Sequence, residues 1–355
     1  MSNSAKMSAR QRIEALVDAN SFVEIGGLVT KRNTDFNMQE KAVPADGVIT
    51  GYGVIDSELV YVYSQDVTAL NGSIGEMHAK KIVRLYEMAM KAGAPVVGLI
   101  DCAGVRVQEA VDALAGFGEL YLSKVKASGV IPQISAILGS CGGGVAISSL
   151  LSDFTLMDTQ NGKLFVNSPN AVDGNNTDKC DTAAAAFQAE AGNVDFLCDT
   201  EADVLAQIRS LVQILPANFD DYAGKETQDD MNRVLNGFEG LISDPVAALT
   251  QIADDQKFLE TKKEHAGDMI TGLMTINGVT VGAVANGAEQ VLSTAGCKKA
   301  EKFVYFCDAF GIPVITFTNV KAYASSMEEE KTIGQAVADL TCAFASAEIP
   351  KVNVI

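Results

Sequence analysis

GAPVVGLID at 93–101 and GIPVITF at 311–317 are two versions of one passage, and the stretches around them decide the fold. Residues 79–137 lie over residues 297–355 without a gap, at a constant offset of 218 (297 − 79 = 218). Of these 59 positions 12 are identical, including Lys80 and Lys81 on Lys298 and Lys299, Gly93 on Gly311, Pro95 on Pro313, Gly116 on Gly334, and Ile131 and Pro132 on Ile349 and Pro350. Gly and Pro set turns, so their retention marks two copies of one helix–turn–strand unit. The first copy runs on into Leu138, Gly139, Ser140, Cys141, Gly142, Gly143 and Gly144, whereas the second stops at Ile355. The expectation is a second domain lacking its C-terminal end.

Working outward, Gly47–Ile55 and Leu59–Tyr63 read as strands joined by a turn at Asp56 and Ser57. A helical period runs through Ile82, Leu85, Tyr86 and Ala89 within 75–92. VVGLI after Pro95 is short and wholly apolar, as a strand covered on both faces must be. A helix over about 108–128, the strand ISAIL after Pro132 and a third helix from near Gly143 complete an α/β layering. The second half repeats it with strands at 269–276 and 279–284, a helix at 297–310, a strand at 313–317, a helix at 331–346 and a strand at 352–355. Between the halves, 199–264 is polar and acidic, with a helix expected over 201–214, a linker through Asp220, Asp221, Asp229 and Asp230, and its charge facing solvent.

A chain of 355 residues with 48% hydrophobic and 20% charged residues can bury a sizeable core. Its net charge of -18 argues against nucleic acid and anionic membrane as partners, though a local cationic rim still suffices for a phosphorylated ligand. Seven cysteines without a CxxC pair, together with two histidines, speak against a zinc site and for free thiols in a reducing cytoplasm. The opening MSNSAKMSARQRIEALV is a polar lead into an amphipathic helix, without the apolar core of a signal peptide. No run of about 18 apolar residues is available to span a membrane.

Two segments are able to do chemistry. GSCGGG at 139–144 joins a buried strand to a helix; its glycines admit a ligand to the backbone, and the first helical amides lack internal partners. Such a loop binds phosphate or an oxyanion, or else serves tight strand–helix packing. It matches neither a Walker loop nor GxGxxG. DCAGVRVQE at 101–109 leaves the end of the buried strand VVGLI, where ligands sit in open α/β sheets, so the two segments are expected as neighbours. Arg106 is placed either to meet a phosphate or to pair with Glu109. Cys102 and Cys141 read as reactive thiols or as small buried hydrophobes. Ser73 and His78 are too little for a Ser/His hydrolase, since no nucleophile elbow accompanies them.

ADGVITGYGVI, VYVYSQDVT, HAKKI, GAPVVGLID, RVQE, ASGVIPQISAILGSCGGG and DFTLM in the first half, with FCDAFGIPVITF and IPKVNVI in the second, carry a resemblance. The chain resembles the carboxyltransferase subunits of biotin-dependent acyl-CoA carboxylases and decarboxylases, the propionyl-CoA carboxylase β and methylmalonyl-CoA decarboxylase α family. The resemblance implies two tandem crotonase-like domains: 1–215 on the acyl-CoA side, an acidic linker with connecting helices at 216–264, and an incomplete domain at 265–355 on the biotin side. It implies a CoA thioester as substrate, biotin on a separate carrier protein, a homo-oligomer, and for decarboxylases a membrane complex. Biotin takes the α-proton of the thioester and the enolate takes up CO2, or the reverse, so the reaction needs two oxyanion holes. By motif, the amides of Gly143 and Gly144 hold the thioester oxygen, with Gly142 beside them. Ala103, Gly104, Val105 and Arg106 match the family loop SGGAR at the CoA site. On the biotin side the sequence departs from the family, with KAYASSMEEE at 321–330 and VAD at 337–339.

The reading is therefore a cytoplasmic carboxyltransferase acting between biotin and a short acyl-CoA. Its alternative is a non-catalytic relative that binds acyl-CoA or partner subunits as a scaffold. A hydratase or isomerase on the first domain would need Glu109 or Glu119 as general base.

Overall fold

The computed structural model describes residues 6–33, 43–221, 224, 225, 227–230, 232–287 and 291–355. The first five residues of the polar lead, and 222, 223, 226 and 231 of the acidic stretch, lie outside these. The chain divides into two compact units, Met1–Gln213 and Ile214–Ile355.

In unit 1, α1 (Ala9–Leu16) starts at a capping box in which Ser8 and Gln11 satisfy each other's backbone amides. After β1 (Val23–Ile25) come β2 (Val48–Ile55) and β3 (Glu58–Gln65), an antiparallel hairpin. Asp56 and Ser57 turn it at φ 49° and 75°, the left-handed pair that a tight hairpin needs. α2 (Glu76–Ala92) is stopped by Gly93 in the left-handed conformation, after which the chain enters β4 (Val96–Cys102), buried along its whole length. There follow α3 (Ala110–Ala127), β5 (Gln133–Gly142), α4 (Gly144–Leu150), β6 (Phe154–Asp158), β7 (Lys163–Phe165), α5 (Ala185–Glu190), β8 (Phe196–Cys198) and α6 (Glu201–Ile214). The sheet order is β1-β2-β3-β4-β5-β6-β8, with β7 on β5; every pairing from β3 onward is parallel. Ile82, Leu85, Tyr86 and Phe117 from the helices close over Tyr63, Ile100 and Ile137 of the sheet.

Unit 2 contains α7 (Pro245–Ile252), β9 (Phe258–Thr261), β10 (Met269–Ile276), β11 (Val279–Asn286), β12 (Val291–Leu292), α8 (Thr294–Ala309), β13 (Val314–Phe317), β14 (Ala322–Tyr323), α9 (Met327–Glu330), α10 (Ile333–Ser346) and β15 (Lys351–Val354). Its main sheet runs β15-β13-β11-β10-β9, and β12 pairs with β14 apart from it.

The sequence repeat is a structural repeat. Val96 pairs with Gln133 between β4 and β5, and Val314 with Lys351 between β13 and β15, the same 218-residue offset on both strands (314 − 96 = 218; 351 − 133 = 218). The repeated lysines also do the same job. Lys81 Nζ donates to the carbonyls of Ala45 and Val48, and Lys299 Nζ donates to those of Lys262 and His265 at 2.9 Å each.

Two expectations need correction. GSCGGG is not a loop throughout: β5 continues through Gly142, because Ser140, Cys141 and Gly142 pair with Lys163, Leu164 and Phe165 of β7, and only Gly143 turns the chain before α4. Nor is the acidic stretch merely solvated. Glu201 is buried against Arg12, and Asp254 is buried with its carboxylate accepting from the amides of Asn277 and Gly278.

Candidate active site

The C-terminal ends of β4 and β5 bring together the two segments singled out by sequence. Cys102 lies opposite Cys141 in the ladder, and a Cβ on Gly104 would reach the Gly142 carbonyl at 3.7 Å. The 102–106 segment is held by backbone bonds: the Ala103 amide donates to Asn71 O at 3.0 Å, and the Gly104 carbonyl accepts from Ile74 at 2.9 Å. The Arg106 amide returns a bond to Ile74 O at 2.9 Å. Ala103, Val105 and Ser140 are exposed and Gly143 and Gly144 half-buried, so backbone and small side chains line an open surface. Gly104 sits at φ 118°, a conformation that side chains resist.

The two glycines expected to hold an oxygen differ. Gly143 has φ 61° and donates its amide to Phe165 O at 2.9 Å, so it turns the chain and is not a free donor. Gly144, the first residue of α4, has no amide partner among the described residues. Its carbonyl accepts from the Tyr121 hydroxyl at 2.8 Å. A Cβ at Gly144 would meet that hydroxyl at 2.8 Å and the Phe117 ring at 3.0 Å. Gly142 makes room for the Phe165 ring, which a Cβ would meet at 2.7 Å.

Arg106 does not reach out for a phosphate. Its side chain is buried, with ion pairs to Asp46 and, at 2.8 Å, to Glu109, and a bond to Ser73 O at 2.7 Å. It fixes the loop's exit. Glu109 is engaged by Arg106 and also accepts from the Glu76 amide at 2.6 Å, so it is not free to act as the general base of a hydratase, and Glu119 lies exposed on α3. His78 is wholly buried; its Nδ1 lies 3.0 Å from Asp46 O and its Nε2 3.2 Å from the Gln65 amide. Burial, then the positive Arg106 nearby, pushes its pKa down to about 3, which keeps the imidazole neutral and structural. Burial drives the Cys102 and Cys141 thiols up to about 12, so both behave as small hydrophobes rather than reactive groups. No cluster of His, Cys, Asp or Glu suited to a metal occurs among the described residues.

Sequence reasoning missed Asn71, Phe117, Tyr121 and Phe165, all of which touch the site. Their contributions come from packing across the sheet, which leaves no local pattern. What the arrangement offers is an unpaired amide beside a backbone-lined surface, a donor for a carbonyl oxygen that gains negative charge.

Comparison with known proteins shows which family the chain belongs to. A model of the carboxyl transferase domain matches residues 2–355. Methylmalonyl-CoA decarboxylase subunit alpha of Veillonella parvula is 39% identical over 369 residues, covering 99% of this chain and 72% of that protein. The propionyl-CoA carboxylase beta chain of Roseobacter denitrificans is 38% identical over 371 residues, with the same coverage of 99% and 72%. Among solved structures, the transcarboxylase 12S hexamer with hydrolysed methylmalonyl-coenzyme A bound superposes with a TM-score of 0.94 at 31% identity, covering 98% of this chain and 70% of that one. With a model matching from the second residue to the last, and relatives over a third identical along nearly its whole length, this chain belongs to the carboxyl transferase domain family.

Proposed function

We propose that the chain is the carboxyltransferase component that moves a carboxyl group between biotin and a short acyl-CoA, with the acyl-CoA bound on unit 1. The observation that carries this reading is the open Gly144 amide beside the 102–106 segment, at the ends of adjacent parallel strands. A thioester oxygen set against that amide is stabilised as it becomes an enolate oxygen, whichever direction the carboxyl group moves. Ala103, Gly104 and Val105 form the wall along which the CoA chain runs, and Arg106 holds that wall in place from inside.

Biotin on a carrier protein is the second reactant, and 265–355 is the part assigned to it. Residues 321–330 form the short β14 and the acidic α9, without a glycine. A second copy of the chain as partner is supported by the apolar stripe exposed along α3, Val111, Leu114, Leu122 and Val125, and by the hexamer of the transcarboxylase relative. No described helix is long and apolar enough to cross a membrane. Seven unpaired cysteines suit a reducing cytoplasm.

Calorimetric titration with acetyl-, propionyl- and malonyl-CoA tests the acyl-CoA site. Saturable binding is expected for at least one of them, and Gly144→Ala weakens it, because the new Cβ must displace the Tyr121 hydroxyl. Folded protein that takes up none of the three would overturn the reading.

A further inference from the structure

A buried ion cluster of unit 1 adjoins the candidate site at Asp101. Arg12 of α1 is 1% exposed. Its guanidinium meets Asp101 Oδ2 at 3.2 Å, the Leu138 carbonyl at 3.3 Å, and both oxygens of Glu201, at 2.6 and 3.2 Å. Asp101 is the residue before Cys102 and begins the 101–109 segment. Leu138 lies just ahead of the glycine stretch on β5. Glu201 is the first residue of α6, so one side chain from the start of the sequence joins three elements distant from it.

The strand register explains why a guanidinium is needed there. Ile100 pairs with Ile137, a separation of 37 (137 − 100), but Cys102 pairs with Cys141, a separation of 39 (141 − 102). β5 therefore gains two residues on β4 between these pairs, a bulge that interrupts the ladder and re-aims the strand end. Leu138, Gly139 and Ser140 are the residues inside it. The Leu138 carbonyl is taken by Arg12, and Gly139 is glycine because a Cβ there would overlap the Asp101 carboxylate. Lys6 adds a second cation to Asp101 at 2.7 Å, and the Asp101 amide donates to Gln65 Oε1 at 3.3 Å.

We propose that Arg12 is a positioning residue for the acyl-CoA site: by pinning the β4–β5 bulge it sets where the 102–106 segment stands relative to Gly143 and Gly144. The proposal rests on the acyl-CoA reading given above. A planar fork serves this role because it reaches two carboxylates and a carbonyl in different directions at once, and an ammonium on a flexible stem does not. Removing it leaves the Asp101 and Glu201 carboxylates buried with fewer partners and frees the bulge to slide.

The test compares Arg12→Lys and Arg12→Met with a control, Arg209→Met. Arg209 also anchors α1 to its surroundings, through Leu16 O, Asp18 and Asp56, but touches neither segment of the site. Two quantities are read on the intact chain well below its unfolding temperature: hydrogen exchange of amides 102–106 and 139–144, and the calorimetric Kd for the CoA thioester that wild type binds. Expected are faster exchange confined to those amides and a Kd raised by roughly tenfold in Arg12→Met, the scale of a displaced contact, with Arg12→Lys between it and wild type. Arg209→Met should lower the unfolding temperature and leave both quantities alone. Unchanged exchange in Arg12→Met overturns the proposal, as does faster exchange with an unchanged Kd, since the arginine is then only a brace. Absence of binding by wild type is a separate result, which overturns the acyl-CoA site itself and with it any positioning role for Arg12 toward that ligand.

Discussion

At the scale of single residues, unit 1 keeps its polar groups for holding strand ends. His78 is the clearest case: near Ser73 in sequence but without the elbow a hydrolase needs, its ring is in the structure a neutral brace between Asp46 and Gln65. Its folded pKa of about 3 lies below the ordinary 6.5. Below pH 6.5 the unfolded chain therefore binds a proton that the native one refuses, and stability falls as pH drops from about 6.5 toward about 3. The slope from this one group is about 1.4 kcal/mol per pH unit. Chemical denaturation of wild type and His78→Gln at pH 7, 6, 5 and 4 should show the variant losing less stability over that range, by close to one proton's worth of slope. Parallel curves would mean that the imidazole is protonated in the native state. Arg106 and Gly143 belong to the same scale: the sequence marks both as candidates for the site, yet the guanidinium points inward and the Gly143 amide is already bonded. A motif fixes where a residue falls along the chain, and hydrogen-bond partners settle what remains for a ligand.

At the scale of elements, the start of α3 carries backbone strain. Ala110 opens α3 at φ 45° and ψ −118°, a backbone region natural to glycine and costly for any side chain. Ala110→Gly should stabilise the protein by about 1 kcal/mol, the low end of what such strain costs, and raise the thermal midpoint. A lower midpoint would show that the methyl group is not held in a strained conformation. The longer helices and the strands of the two repeated units were legible in the sequence because Gly93, Pro95, Pro132 and Gly311 punctuate strong apolar periods, whereas the short α7 and α9 and the short β1, β9, β12 and β14 were not. β6 and β8 on the far side of the sheet were not read. β7 was missed for a different reason, being three residues long and gaining its existence only from pairing with Ser140, Cys141 and Gly142. That pairing is also what turns the expected glycine loop into strand.

For the whole molecule, a chain carrying a net charge of -18 nevertheless exposes Val111 at 74%, Leu114 at 62%, Leu122 at 54% and Val125 at 56% along one face of α3. With Gly118 between them presenting no side chain, these residues form a shallow apolar seam. Sedimentation should reveal a species larger than the 37.4 kDa single chain. Leu114→Asp should shift the population toward single chains without lowering the thermal midpoint, since the side chain is solvent-facing in one copy. Wild type sedimenting as a single chain at high concentration would remove self-association from the proposed function.

Sequence alone determined the two-fold repetition of a helix–turn–strand unit, the α/β layering and the pair of segments at the strand ends. Each of these is written in local patterns: apolar period, turn residues and a fixed offset between copies. Tertiary structure decided what those segments hold ready. The two-residue bulge between β4 and β5, the use of Arg12 to pin it, the engagement of the Gly143 amide by Phe165 and the freedom of the Gly144 amide all arise between residues remote in the chain. Such contacts have no period to read, because they exist only once the sheet has brought its strands side by side.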